Sequence, residues 1–295
     1  MEILQKNIDI TNLSNFKTKA KAKYFYELKS EDYVKILPEI FNFAEKNNLK
    51  VLFVTNMLFA FDIFDIIIKN NLKWSYDEKT KILETYSDEY ISEIAEILEK
   101  NKNQELWHRF ILPTIGAIFN ACFLETESNL SEVIALNLRT QIEKLSKSDC
   151  DFSYRNSIFK KTKYFIIKAK FDLSKKVEKY SSDVDNIDFR QNKQPKGNTC
   201  SFFKNPEIDT QKFLDKYKNL CGESEDYVKK ISAFLLEKSS LKGFRLNTAF
   251  FSDLHSNFLM SDNSYKDLLD LIKLAQDKVK KDFVELEPEV RIIYN

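Results

Sequence analysis

Residues 194–206 read QPKGNTCSFFKNP, from Gln194 to Pro206. Immediately upstream, residues 174–199 are polar and contain proline, asparagine and lysine, the composition of a domain junction. Immediately downstream, Glu207 to Tyr227 (EIDTQKFLDKYKNLCGESEDY) is charged. There Phe213, Leu214, Tyr217 and Leu220 recur at helical spacing, so an inserted amphipathic helix, most simply a solvated one, is expected. The chain thus divides into a domain over 1–180 and a second over 188–295 carrying an insertion at about 207–228.

Further out, helical and strand patterns alternate. Ser30 to Asn48 places Val34, Leu37, Ile40, Phe41 and Ala44 near helical spacing, with Ser30 as N-cap. Pro38 inside that run predicts a kink or a late start. The apolar run VLFVTNMLFAF (Val51 to Phe61) predicts buried strand, interrupted by Thr55 and Asn56. Ile82 to Tyr86 reads as a strand leading into a helix from Ser87 to Lys100. Lys163 to Leu173 alternates with period two, as a strand does. Ser264 can cap a helix that turns Leu268, Leu271, Ile272, Ala275 and Val279 inward, with Asp267 at its third position. The class is α+β with mixed sheets.

Composition excludes several functions. A formal net charge of +1 gives no electrostatic case for nucleic acid or an anionic membrane. The run Val51 to Phe61 falls far short of the roughly 20 residues that span a bilayer. MEILQKNIDI is charged too early for a secretory signal, so a cytoplasmic protein is expected. Cys122, Cys150, Cys200 and Cys221 form no CxxC pair, and only His108 and His255 could join them. No metal site is expected, and the thiols read as free.

Five segments carry a resemblance. DFSYRNSIF (Asp151 to Phe159), QPKGNTCSFFKNP, LKGF (Leu241 to Phe244), SDLHSNFLM (Ser252 to Met260) and LEPEVRII (Leu286 to Ile293) resemble, in order, characteristic segments of the MurB family. VLFVTNMLFAFDIFDIIIKNNL and LPTIGAIFNACF resemble that family's two FAD-binding segments more loosely. Any one match is weak, but five in the family's order are specific. The resemblance implies a two-part FAD-binding domain of PCMH type followed by a smaller α+β substrate-binding domain. It also implies NADPH- and FAD-dependent reduction of UDP-N-acetylglucosamine enolpyruvate to UDP-N-acetylmuramate, an oxidoreductase step of peptidoglycan precursor synthesis, by a monomer whose partner is the UDP-sugar.

The departure from that family is in glycine. Average usage of about 7% would give roughly 20 in a chain this long, and this one has 4. The absences are selective: where the family has PGTVGGA, this chain has Pro113-Thr114-Ile115-Gly116-Ala117, and no glycine precedes Ser201. Two readings stay open. In one, glycine codons of the UGA type were dropped from the conceptual translation; selectivity for one residue type favours it. In the other, the chain is a non-catalytic MurB-like protein that binds a nucleotide-sugar or partner without flavin.

The resemblance also implies the site. Ser201 matches the family's proton donor, and Arg155 and Glu289 the groups that stabilise the enolate. A serine is a weak acid by its free pKa and must be positioned by its surroundings. On the residues alone, Ser201 is a surface hydroxyl, and Arg155 with a carboxylate is a structural ion pair. Thr55, Asn56, Met57, Leu58, Thr114, Ile115, Gly116, Ala117 and Asn120 fall on the FAD segments, where peptide N–H groups cradle a pyrophosphate. Tyr154, Lys204 and Asn205 are candidate substrate contacts, and Arg190 a diphosphate contact by its planar fork. His255 and Asn257 lie in a matching segment, where a single histidine reads as a structural residue.

Overall fold

The structure, a computed structural model, describes residues 2–14, 16–29, 33–53, 57–87, 129–137, 139, 141–153, 156–161, 164–174, 195, 197, 201–206, 213 and 231–294. The chain forms two compact units. The first is built from Met1–Asp9, Lys21–Asn56 and Ile63–Pro195, the second from Ile10–Ala20, Met57–Asp62 and Lys196–Asn295.

The first unit holds two sheets. Strands β1 (Gln5–Asp9), β2 (Lys21–Leu28), β3 (Val51–Phe53), and β5 (Ile63–Asn70) lie in the order β1-β2-β5-β3, with β5 parallel to both β2 and β3. The crossover from β2 to β3 is helix α1 (Tyr33–Lys46). Its Tyr33, Leu37, Ile40 and Ala44 are buried at helical spacing against Leu28, Phe53, Ile66 and Ile68. Val34, expected inside, is 61% exposed. That exposure also explains how Pro38 is tolerated within the helix: the carbonyl that proline leaves without its i+4 donor is that of Val34, on the wet side.

The second sheet, β6 (Ser75–Asp77), β7 (Ile82–Tyr86), β8 (Leu130–Asn137), β9 (Ile142–Leu145) and β10 (Tyr164–Asp172), has the order β6-β7-β10-β8-β9 and is antiparallel throughout. The period-two run at Lys163–Leu173 is its central strand. A register shift between Ile166 and Lys168 breaks the alternation. Ile166, Ala169 and Phe171 then face one cluster with Leu83, Val133 and Phe159. Ile167 joins the α1 cluster instead. Lys168 and Lys170 carry a charged patch across three strands. Lys168 Nζ lies 3.1 Å and Lys170 Nζ 3.0 Å from Glu84, and Lys170 lies 3.6 Å from Glu132.

The apolar run Val51–Phe61 is not one strand. Its first part is β3, and beyond Thr55–Asn56 its second part is β4 (Met57–Phe59), which pairs in parallel with β14 (Arg291–Ile293) in the second unit. Sequence order places 57–62 and 10–20 in the first domain; spatially both belong to the second unit, because β4 and β14 complete each other's backbone bonding. The rest of that unit is a meander of β11 (Arg245–Leu246), β12 (Ala249–Phe251) and β13 (Leu259–Ser261), with helices α2 (Ile231–Lys238) and α3 (Tyr265–Asp282). Ser264 Oγ accepts from the Asp267 N–H at 3.2 Å, the expected cap. Leu268, Leu271, Ile272, Ala275 and Val279 are all buried, as their spacing requires. The expected helix over Ser87–Lys100 lies outside the described residues, as does the 207–228 insertion apart from Phe213, which is buried against Phe234.

Among the described residues, no helix is long and apolar enough to cross a membrane, and no group of three His, Cys, Asp or Glu side chains could hold a metal ion.

Candidate active site

The segment SFFK forms the middle of a frame of three hydrogen-bonded segments. Phe202 and Phe203 are fully buried and pack edge to face, with centroids 5.0 Å apart; Phe16 packs on Phe202 in the same way. Two aromatics sunk into the core fix the backbone between them, and so fix the polar residues at either end, Ser201 and Lys204.

Both edges of that segment are tied down. On one side the Phe202 N–H donates to the Asn257 carbonyl at 2.8 Å, and Ser201 bridges Phe258. The Asn257 side chain then acts as a strand by itself: its Oδ1 accepts from the Phe203 N–H at 2.9 Å, and its Nδ2 donates to the Phe203 carbonyl at 2.8 Å. On the other side the Glu289 N–H donates to the Phe202 carbonyl at 2.7 Å, and the Lys204 N–H to the Glu287 carbonyl at 3.0 Å. Phe202 therefore sits between Asn257 and Glu289, and Ser201 and Glu289 stand on adjoining segments of one hydrogen-bonded frame.

His255 supports this frame. Its ring stacks on Phe258 with centroids 4.4 Å apart, and its Nδ1 accepts from the Asn257 N–H at 3.2 Å. An accepting Nδ1 leaves the ring proton on Nε2. Sequence reasoning put His255 aside as structural and gave Asn257 no role; the side-chain clamp of Asn257 on Phe203 is the part it could not see.

The candidate substrate contacts are partly engaged already. Lys204 Nζ lies 2.6 Å from Glu287 Oε2, an ion pair whose carboxylate is 65% exposed and open to displacement. Asn205 Oδ1 accepts from the Ser232 N–H at 3.0 Å, and Ser232 Oγ donates to the Lys204 carbonyl at 2.5 Å. Asn205 thus caps the first turn of α2 from a distance in sequence.

Of the FAD-segment residues, Met57 lies in β4 opposite Arg291, and Leu58 is fully buried in the core beside Phe202. Leu58 can meet a ligand only through its backbone. Arg155, Tyr154, Arg190, Thr55, Asn56, Thr114, Ile115, Gly116, Ala117 and Asn120 lie outside the described residues. Ser153 and Asn156, which flank Tyr154 and Arg155, exchange both backbone hydrogen bonds at 3.0 and 2.9 Å. Arg291 was not singled out from the sequence. The signal was its place two residues after Glu289, at the start of β14.

The chain is similar to known proteins over nearly its whole length. The domain described as UDP-N-acetylenolpyruvoylglucosamine reductase, C-terminal domain, matches residues 192–293. A UDP-N-acetylenolpyruvoylglucosamine reductase of Chlamydia felis is 24% identical over 305 residues, covering 98% of this chain and 94% of its own. The protein of that name from Clostridium novyi is 29% identical over 311 residues, covering 99% and 92%. Among solved structures, the UDP-N-acetylenolpyruvylglucosamine reductase (MurB) of Thermus caldophilus shares the fold with a TM-score of 0.65 at 14% identity, over 99% of this chain and all of its own.

Proposed function

Because the chain belongs to the MurB family, we propose that it is an oxidoreductase that reduces UDP-N-acetylglucosamine enolpyruvate to UDP-N-acetylmuramate, with FAD as bound cofactor and NADPH as co-substrate. The observation that carries this reading is the frame around Phe202, whose neighbouring hydrogen-bonded segments carry a serine at 201 and a glutamate at 289 within the matched domain.

The chain's own residues divide the work as follows. The Ser201 hydroxyl gives a proton to the substrate carbon opposite the face that is reduced. Glu289 and Arg155 hold the substrate's carboxylate and the charge that develops on it, a task for preorganised polar groups. Lys204 and Asn205 contact the nucleotide-sugar, with Tyr154 beside them and Arg190 on its diphosphate. FAD, when bound, supplies the hydride. Its expected contacts, at Thr55 to Leu58 and at Thr114 to Ala117 with Asn120, are backbone and small polar groups, as an anionic pyrophosphate requires. The fit can be judged at β4: Leu58 turns its side chain into the core, while Arg291 stands opposite Met57, so this strand offers a cofactor backbone and a cation rather than bulk or negative charge.

The scarcity of glycine favours a second reading, a MurB-like protein that binds a nucleotide-sugar without flavin. Purified chain, titrated with FAD and assayed for NADPH oxidation that depends on the enolpyruvyl sugar, separates the two. A yellow protein with substrate-dependent turnover supports the reductase. A colourless protein that still binds the UDP-sugar supports the second reading, and its conversion to a yellow one by inserting glycines between Val54 and Thr55 and around Thr114–Ala117 would trace the loss to the missing residues.

A further inference from the structure

Lys204 ends the SFFK segment, and its main chain is pinned from two sides. Its N–H donates to the Glu287 carbonyl at 3.0 Å, and its carbonyl accepts from Ser232 Oγ at 2.5 Å. The bond to Glu287 pins that residue's main chain as well. Between the two side chains lies the 2.6 Å ion pair, and among the described residues the Lys204 ammonium has no other partner. The pair is unevenly covered: the lysine side chain is 23% exposed and the glutamate's 65%. Glu287 is thus the wetter half, and rotation of its side chain alone can open the pair. Glu285 and Lys280 stand apart from it, because they pair with each other at 3.1 Å. An exposed pair of this kind favours its closed state by no more than roughly fivefold, and water receives the released carboxylate at little cost.

We infer that Glu287 is an internal counter-ion of the site, holding the Lys204 ammonium in the ligand-free protein and giving way to the diphosphate of the UDP-sugar. This rests on the reductase reading, in which Lys204 contacts the nucleotide-sugar. An ammonium is a compact point charge that suits phosphate oxygens. A diphosphate carries more negative charge than the single carboxylate it displaces. The ligand engages the open fraction of the pair, so its apparent affinity falls in proportion to that fraction. Only an anion that outcompetes a lone carboxylate recovers the loss at Lys204. Glu287 therefore lowers affinity for every ligand that uses Lys204, and discriminates against weak anions.

The test is the affinity of the full chain for UDP-N-acetylglucosamine, measured by calorimetry at low and at moderate salt. Glu287→Gln keeps the size of the side chain and the main-chain bond but loses the charge. It should bind the sugar roughly 2- to 5-fold more tightly at low salt, and the gain should shrink as salt screens the pair. Lys204→Met should bind more weakly than the parent, and in that background Glu287→Gln should bring little or no gain. A purely structural pair gives a different sign: Glu287→Gln would then weaken binding by releasing Lys204, or leave it unchanged. Either result overturns the inference, while binding and turnover by the parent keep the reductase reading. A gain of full size in the Lys204→Met background also overturns it, because Glu287 would then act by general repulsion. So does a Lys204→Met protein that binds as tightly as the parent. A parent that binds no UDP-sugar defeats the reductase reading and takes this inference with it.

Discussion

The two units treat buried charge in opposite ways. In the first, Glu84 on β7 holds Lys168 and Lys170 on β10, and Glu132 on β8 closes the patch, so the positive charges lie among carboxylates supplied by neighbouring strands. In the second, Arg291 opens β14 two residues past Glu289, and among the described residues its cation has no internal partner. A charge cluster that satisfies itself holds strands in register. A charge left unsatisfied beside a hydrogen-bonded frame is available to a ligand. The contrast can be broken or sharpened by substitution on either side.

The largest effect should come from the frame itself. Asn257→Ala removes both side-chain bonds to Phe203 and leaves a buried N–H and C=O without partners. The cost should be about 3 kcal/mol, read from the shift in denaturant midpoint. Asn257→Asp keeps the acceptor but not the donor and should fall between. A near-neutral Asn257→Ala would mean that the frame does not depend on this side chain, and that Ser201 is positioned by something else.

Next come the paired charges. Glu84→Gln removes the Glu84 charge from beside Lys168, the more deeply buried lysine, and should cost about 1 to 2 kcal/mol after allowing for partial exposure. The sign is the test of the contrast: Glu84→Gln destabilises, whereas Arg291→Met does not. The pair also predicts a pH dependence. Burial alone would raise the Glu84 pKa, but hydrogen bonds from Lys170 and then Lys168, with their charges, outweigh it and leave the pKa below the ordinary 4.5. A lowered carboxylate pKa contributes stability that is fully present above the unfolded value and disappears as pH falls through the folded one. The stability gap between the parent and Glu84→Gln should therefore be constant from neutrality down to about pH 5 and close below pH 4.5. A gap that stays open at pH 3 would show that the carboxylate acts through shape rather than charge.

Much of this was legible in the sequence because it rests on local periodicity. Leu268, Leu271, Ile272, Ala275 and Val279 repeat at helical spacing behind Ser264, and the helix follows directly. The β10 run was equally clear, while its shift against β8 at Ile166–Lys168, and the pairing with β7 that brings Lys168 and Lys170 to Glu84, depend on partners far along the chain and leave no local mark. The run Val51–Phe61 misled for the same reason. Hydrophobicity says that both halves are buried, not that β3 finds β5 and β4 finds β14 in different units. In the site, Ser201, Lys204, Asn205 and Glu289 came from short motifs. Arg291 was passed over because an arginine in EVR is ordinary until the absence of a partner is visible.

The smallest prediction concerns glycine, and it compares the two units through the ends of their helices. Both α1 and α2 finish in the same turn, in which the N–H two residues past the last cap donates back across the turn: Leu49 to the Ala44 carbonyl at 2.9 Å, and Leu241 to the Leu236 carbonyl at 2.9 Å. The residue before each leucine must then adopt a left-handed conformation, the position where glycine is most at ease. Here it is Asn48 at φ 50° and Ser240 at φ 55°. Asparagine tolerates that region better than serine, because its short side chain can bond locally. Ser240→Gly should therefore stabilise the protein by roughly 1 kcal/mol and Asn48→Gly by less. By contrast, Gly243→Ala should do harm at φ 69°, where an added Cβ would come within 2.0 Å of Asp253 Oδ1. Thermal midpoints of the three variants would order them. If Ser240→Gly stabilises and Gly243→Ala destabilises, the described turns bear the cost of missing glycine in the helix ends, where another residue can still take the strained conformation. At a backbone that must approach a phosphate, substitution offers no such recourse.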